Sequence, residues 1–345
     1  MKKLAQMFSL VLIIVLLVSS SAYAKAPDAN YIPDIVIHNS NFYTYVDMTK
    51  DIDALQKWYA GKISVEVIGT TIDNRDIHAI RLGNKITENQ KEVVIFSTIH
   101  GWEFINTEMC MEMIENYLSN WNNTYTSGLT YEDIFNECNL VIIPCLNPDG
   151  MNISMFGIDG IKDERLKEQF STYNKNTKIT GYKANANGVD LNRNFPRGFG
   201  AQIKGAVNMP SYQLYCGESA LSENETSALC DYLTTHNVIG CVSYHSQGKV
   251  IYSYCNQDKN GNKDIMDKCF NMANICANCT GYYNPKENDW DCPERGLEHD
   301  YICNDLRIPC IEIESGTSKN YRSQYSSIYK ANKNVGIALC YGLIK

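Results

Sequence analysis

Helices that alternate with strands through most of the chain predict an α/β fold: a single domain on a mostly parallel, twisted mixed sheet with helices on both faces. Three observations carry that prediction. Residues 93–99 and 140–144 are mostly apolar runs, as in strands covered on both sides. Between them Phe104, Thr107, Met111, Ile114 and Leu118 recur at helical spacing, and strand, helix, strand makes a parallel pair. Past residue 220 the alternation continues.

Taken in order, an amphipathic helix is expected from Thr44 onward, because Tyr45, Met48, Ile52, Leu55 and Trp58 recur every three to four residues. Short strands follow over 64–68 and 77–82. The two buried strands and their helix come next, and Asn147-Pro148-Asp149-Gly150 reads as the turn closing the second strand. Ser222-Glu223-Asn224-Glu225 has the form of a capping box and predicts a helix running towards Thr235. Strands over 238–244 and 249–254, a helix over 264–278, a strand over 308–313 and a closing helix over 325–343 complete the chain.

The chain begins Met1-Lys2-Lys3, runs through an apolar stretch from Phe8 to Val18 and reaches Ser21-Ala22-Tyr23-Ala24, the layout of a secretory signal peptide cleaved after Ala24. Residues 1–24 are thus expected to be a signal peptide, 25–42 an extended arm and 43–345 the folded domain. No later stretch has the roughly 20 apolar residues of a membrane span. A secreted protein, extracellular or associated with the cell wall, is expected. A formal charge of −8 without clustered Lys and Arg argues against nucleic acid as a partner. The fourteen cysteines are even in number, as disulfides in an oxidising compartment would allow. Cys145, Cys241 and Cys310 nonetheless sit in strand-like runs where a thiol packs as a small hydrophobe. Cys276 and Cys279 form an isolated CxxC, expected to be a disulfide or plain packing.

The chain has only six histidines, and two of them stand where chemistry is expected. His100 ends the first buried strand, Glu103 follows at a helix start, and His245 closes a later strand. Two histidines and one glutamate are the ligand set of an open catalytic zinc site, with water in the fourth position. Open α/β sheets place ligands beyond the carboxyl ends of their strands.

Six pieces in order extend the pattern: His100-Gly101-Trp102-Glu103, Asn147-Pro148-Asp149-Gly150, Gly188-Val189-Asp190-Leu191-Asn192-Arg193-Asn194-Phe195, Ser222-Glu223-Asn224-Glu225-Thr226, Ser243-Tyr244-His245-Ser246 and Ile308-Pro309-Cys310-Ile311-Glu312-Ile313-Glu314. On these the chain resembles the zinc metallocarboxypeptidase family, in its bacterial secreted type, from about residue 43 to 345. The resemblance implies a zinc carboxypeptidase-like catalytic domain holding one Zn2+ on His100, Glu103 and His245. It implies Glu314 as general base, moving a proton from water to the leaving amine. Glu312 shares that strand face and is a rival on geometry alone. Asn192 and Arg193 match the residues that hold the substrate's terminal carboxylate, which a guanidinium grips through two parallel hydrogen bonds.

Two departures from the family stand out. Arg165 and Lys183 both remain candidates for the further arginine that polarises the scissile carbonyl. Cys292 falls near the place of the family's capping tyrosine, and Tyr282, Tyr283 and Tyr301 are the candidates to substitute for it. The polar Glu298 and His299 fall where the family lines the floor of the pocket for the terminal residue. The leading expectation is a secreted zinc metallocarboxypeptidase acting on C-terminal peptide bonds. The runner-up is a peptidase of the same family cutting the γ-D-glutamyl to diaminopimelate bond of peptidoglycan stem peptides. A non-catalytic peptide-binding member is the reading from another class, disfavoured by the intact ligands and Glu314.

Overall fold

The computed structural model describes residues 34–36, 42–84, 87, 89–174, 179–201, 203–253, 263–285, 295–317 and 322–345. The expected signal peptide, most of the expected arm, Tyr254 and Cys292 lie outside them. Helix α1 (Tyr45–Trp58) opens at a capping box in which Thr44 and Asp47 satisfy each other's backbone N–H. Strands β1 (Ile63–Thr70) and β2 (Asp76–Leu82) pair antiparallel. Strand β3 (Glu92–Ser97) stops two residues earlier than the apolar run does, because Thr98 turns into the left-handed region at φ 56°. Helix α2 (Ile105–Ser119) follows a 3-10 turn over Gly101–Glu103.

A small hairpin, β4 (Thr124–Thr126) and β5 (Leu129–Thr130), and helix α3 (Tyr131–Glu137) lead to β6 (Asn139–Ile143). Residues 147–150, expected as a turn, instead open helix α4 (Pro148–Phe156). Asn147 is the N-cap, its Oδ1 accepting from Gly150 N at 2.8 Å, and Pro148 supplies the first helical position, where a missing N–H costs nothing. Helix α5 (Glu164–Tyr173) comes next, followed by α6 (Asn224–Thr235). The expected capping box at α6 does not form: Glu223 is the N-cap without a side-chain cap bond, and Ser222 Oγ donates to Glu223 Oε1. Glu225, the carboxylate of that box, faces Asn185 instead.

Strand β7 (Val238–Ser246), β8 (Val250–Tyr252), α7 (Lys263–Thr280), α8 (Glu298–Asn304) and β9 (Cys310–Ser315) follow. The expected closing helix is two, α9 (Tyr325–Asn332) and α10 (Val335–Leu343). The break falls at poor helix formers, where Asn332 accepts from Tyr244 Oη and donates to Tyr282 Oη inside the core.

The main sheet has seven strands in the order β1-β2-β6-β3-β7-β9-β8. Its four central strands, β6, β3, β7 and β9, run parallel, and antiparallel strands form its edges. Every residue of β3 and β6 is buried, so both faces of the sheet are covered. Residues Asp34–Lys345 pack as one unit. The described part of the arm is tied to α2, with the backbone N–H groups of Ile35 and Val36 donating to the Glu115 carboxylate. Cysteines of the described residues are all free thiols, and all but Cys216 and Cys279 are buried. Cys276 of the CxxC pair thus packs in the core. No helix of the described residues is long and apolar enough to cross a membrane.

Candidate active site

Three loops meet at the carboxyl ends of the parallel strands. The turn after β3 donates from Gly101 N to Lys183 O at 3.1 Å and from Trp102 N to Tyr182 O at 2.9 Å. Gly101 lies so close to α4 that a Cβ there would come within 2.3 Å of the Gly150 backbone, so only glycine fits without displacement. Held this way, His100 and Glu103 face His245, the penultimate residue of β7. Glu103 Oε1 is 2.9 Å from His100 Nδ1, and Glu103 Oε2 is 3.1 Å from His245 Nδ1. All three side chains are buried, and their ligand atoms lie within 4.8 Å of one another.

These residues suit zinc. Ligands about 2.0–2.1 Å from a tetrahedral ion stand about 3.3 Å apart, near the separations seen here. Both histidines turn Nδ1 inward and leave Nε2 to a carboxylate behind. His245 Nε2 is 2.8 Å from Glu298 Oε1, which also accepts from Ser243 Oγ at 3.0 Å. His100 Nε2 is 3.4 Å from Asp190 Oδ1, long for a hydrogen bond. Such outer carboxylates fix ring tautomer and orientation. Burial pushes the Glu103 pKa up, but the two imidazoles outweigh it and bring it down to about 2. His245, Glu298 and Glu312 also converge within 4.8 Å, but this second set shares His245 with the first.

Strand register sets the next group. In the parallel pairing of β7 and β9, His245 lies opposite Glu314 and Ser243 opposite Glu312. Glu314 is therefore beside the histidine, and its Oε2 is buried without a hydrogen-bond partner. Burial raises its pKa to about 7, opposed by His245 and Lys183 and reinforced by Glu103. Glu312 rises to about 8, first from burial, opposed by His245 and reinforced by Glu298 and Glu314. Lys183 acts on both Glu314 and Asp190, whereas Arg165 is 90% exposed and paired with Asp163. The two lysine and arginine candidates are thereby separated: only Lys183 is near the site.

Asn192 is buried, and its Oδ1 accepts from Glu298 N at 3.1 Å. Arg193 donates from Nη1 to Asn192 O, while its Nε is buried without a partner. Glu298 and His299, read from the sequence as pocket floor, are buried residues opening α8. His299 Nε2 lies 2.9 Å from Cys310 O, and burial pushes its pKa down to about 4, so it is a neutral donor to β9. Of the tyrosines considered for the cap, Tyr282 accepts from Asn332 in the core, Tyr301 packs against Phe195 and Tyr283 is exposed. Tyr252, not singled out from the sequence, pairs opposite Glu312 on β9, and its hydroxyl is influenced by Glu314 and Glu312. Asp190 was missed as well, although it lies inside the Gly188–Phe195 motif.

A buried His-Glu-His set over the ends of parallel strands, with a carboxylate opposite one histidine, defines a zinc-dependent hydrolase. The chain belongs to the zinc carboxypeptidase family, whose model matches residues 48–334. A γ-D-glutamyl-L-diamino acid endopeptidase of Lysinibacillus sphaericus is 27% identical over 311 residues, covering 89% of this chain and 74% of that protein. Human carboxypeptidase B is 28% identical over 195 residues, 56% of this chain, and the match spans only 42% of that longer protein. Among solved structures, bovine thrombin-activatable fibrinolysis inhibitor superposes with a TM-score of 0.64 at 17% identity, covering 88% of this chain and 98% of that one. At that identity the likeness concerns the fold.

Proposed function

We propose that this chain is an exported peptidase that hydrolyses the γ-D-glutamyl bond to a diamino acid in cell-wall stem peptides. Glu314 serves as its general base, and His100, Glu103 and His245 hold the zinc. The opposition of Glu314 and His245 across β7 and β9 is the observation that carries the chemistry. Zinc bound there would polarise the scissile carbonyl and acidify water. Glu314 Oε2, unpartnered within the protein, accepts the proton of the attacking water and returns it to the leaving amine. Asn192 and Arg193 hold a free carboxylate on the leaving residue, and Lys183 assists the carbonyl oxygen as charge develops. Export rests on the leader-like residues 1–24.

The substrate assignment departs from the leading expectation of the sequence. It is favoured by the diamino acid endopeptidase, which matches far more of this chain than carboxypeptidase B does. Release of single C-terminal residues from ordinary peptides stands second, favoured by the Arg193 anchor. Incubation of the zinc-loaded protein with muropeptides and with a C-terminal peptide library, read by mass spectrometry, separates the two. Cleavage at the γ-D-glutamyl bond is expected, and release of terminal amino acids alone would replace it with the second reading. Glu314→Gln is expected to lower turnover about 10²–10⁴-fold with zinc content unchanged; near-normal turnover would remove Glu314 from the role of base.

A further inference from the structure

Helices α7 and α8 meet through two cysteines. Cys269 Sγ, in the first half of α7, lies 3.8 Å from Cys303 Sγ, in the penultimate residue of α8. Both thiols are wholly buried, in contact but unbonded. A disulfide would close their separation to about 2.05 Å. Cys303 Sγ donates to Cys310 O at 3.4 Å, but that carbonyl also takes His299 Nε2 at 2.9 Å, so losing the thiol hydrogen leaves no buried acceptor unpaired. The opposite end of α8 is Glu298, whose Oε1 meets His245 Nε2 at 2.8 Å. A helix of seven residues holds its place by packing, not by its own helical stability, whereas α7 has eighteen.

We propose that Cys269 and Cys303 form a disulfide when the chain folds under oxidising conditions, stapling α8, and with it Glu298, to α7. The oxidant is itself a disulfide, small or carried by a protein. One cysteine thiolate attacks it and displaces one thiol, and the second attacks the mixed disulfide and displaces the other. The pair thus loses two hydrogens, and the oxidant becomes two thiols. The exchange belongs to folding, because neither sulfur is reachable in the folded protein and burial pushes the Cys303 thiol away from the reactive thiolate. Once closed, the bond is shielded from reductant by the same burial. Joining residues 34 positions apart also restricts the unfolded chain, a gain that grows with loop length. The staple draws on the export reading above but not on the choice of substrate.

The test maps the cysteines of the full chain by mass spectrometry after export from an expression host and after zinc-supplemented refolding in a glutathione redox buffer. Protein kept in dithiothreitol is the reference. Digestion without reduction should yield a peptide pair joined through Cys269 and Cys303, and the oxidised protein should melt about 5 °C above the reduced one. Zinc should also leave it more slowly when a chelator is added. Dithiothreitol should spare the bond in the folded protein and break it once denaturant is present. Cys269→Ala and Cys303→Ala should each abolish the difference between oxidised and reduced melting temperatures, whatever either costs in absolute stability. Free thiols at both positions after oxidative refolding, or a bond from either to another cysteine, would overturn the pairing even if export fails. A bond that forms without moving the melting temperature or zinc retention would overturn the staple.

Discussion

Glu298 joins three parts of the site through one residue. Its Oε1 accepts from Ser243 and meets His245 Nε2, and its backbone N–H donates to Asn192. The imidazole therefore presents Nδ1 to the zinc position in one orientation. Glu298→Gln keeps the shape and removes the charge that makes the histidine a better donor. Losing such an outer partner lowers metal affinity about 10- to 100-fold. Competition with a chelator would measure this, alongside the melting temperature of the metal-free protein, which should change little. Unchanged zinc affinity would reduce Glu298 to a packing residue. Nothing local in the sequence distinguishes this role from that of a pocket-floor carboxylate, because the contact joins residues 53 positions apart.

At the scale of elements, the start of α6 repeats the lesson. Ser222 and Glu225 have the spacing of a capping box, but Glu225 is buried against Asn185 and close to Glu223 and Asp149. Burial first, then those two carboxylates, push its pKa well above the ordinary range of a glutamate carboxyl. A carboxyl group whose pKa is raised by folding contributes stability below its unfolded pKa and loses it as pH rises towards the folded value. Glu225→Gln, neutral throughout, should therefore gain on the parent as pH climbs from about 4.5. Urea unfolding of both proteins at pH 4.5 and pH 8 checks the sign, and a pH-independent difference would contradict it. The capping box failed because a tertiary partner outcompeted a local one, and the turn at 147–150 became a helix because the same residues suit an N-cap. The long periodic elements, α1, α2 and the parallel strands, were legible because burial on a regular face repeats in the sequence. The short α8 and α5 carry too few turns to show such a period.

Over the whole molecule, the core and the site are separable. The wholly buried strands β3 and β6 carry no charged residue except Glu92, which Arg81 pairs at 2.8 Å. The site gathers Glu103, Glu298, Glu312 and Glu314 around two histidines at the strand ends. The motif order made the convergence of His100, Glu103 and His245 legible, whereas the loops that aim them meet from residues 100, 150 and 183, a contact no local pattern encodes. Withdrawing zinc would leave these carboxyl groups crowded without their counter-charge, yet the sheet has no need of the ion to stay paired. An ion present at 100 times its dissociation constant adds about 2.7 kcal/mol. For a folded unit of this size that corresponds to a shift of about 4 °C in Tm. Chelation should thus lower the melting temperature by several degrees, leave the far-ultraviolet dichroism at 25 °C intact and be reversed by added zinc. Unfolding at 25 °C on chelation would instead make the metal part of the core's stability, and no shift at all would deny these ligands a tightly held ion.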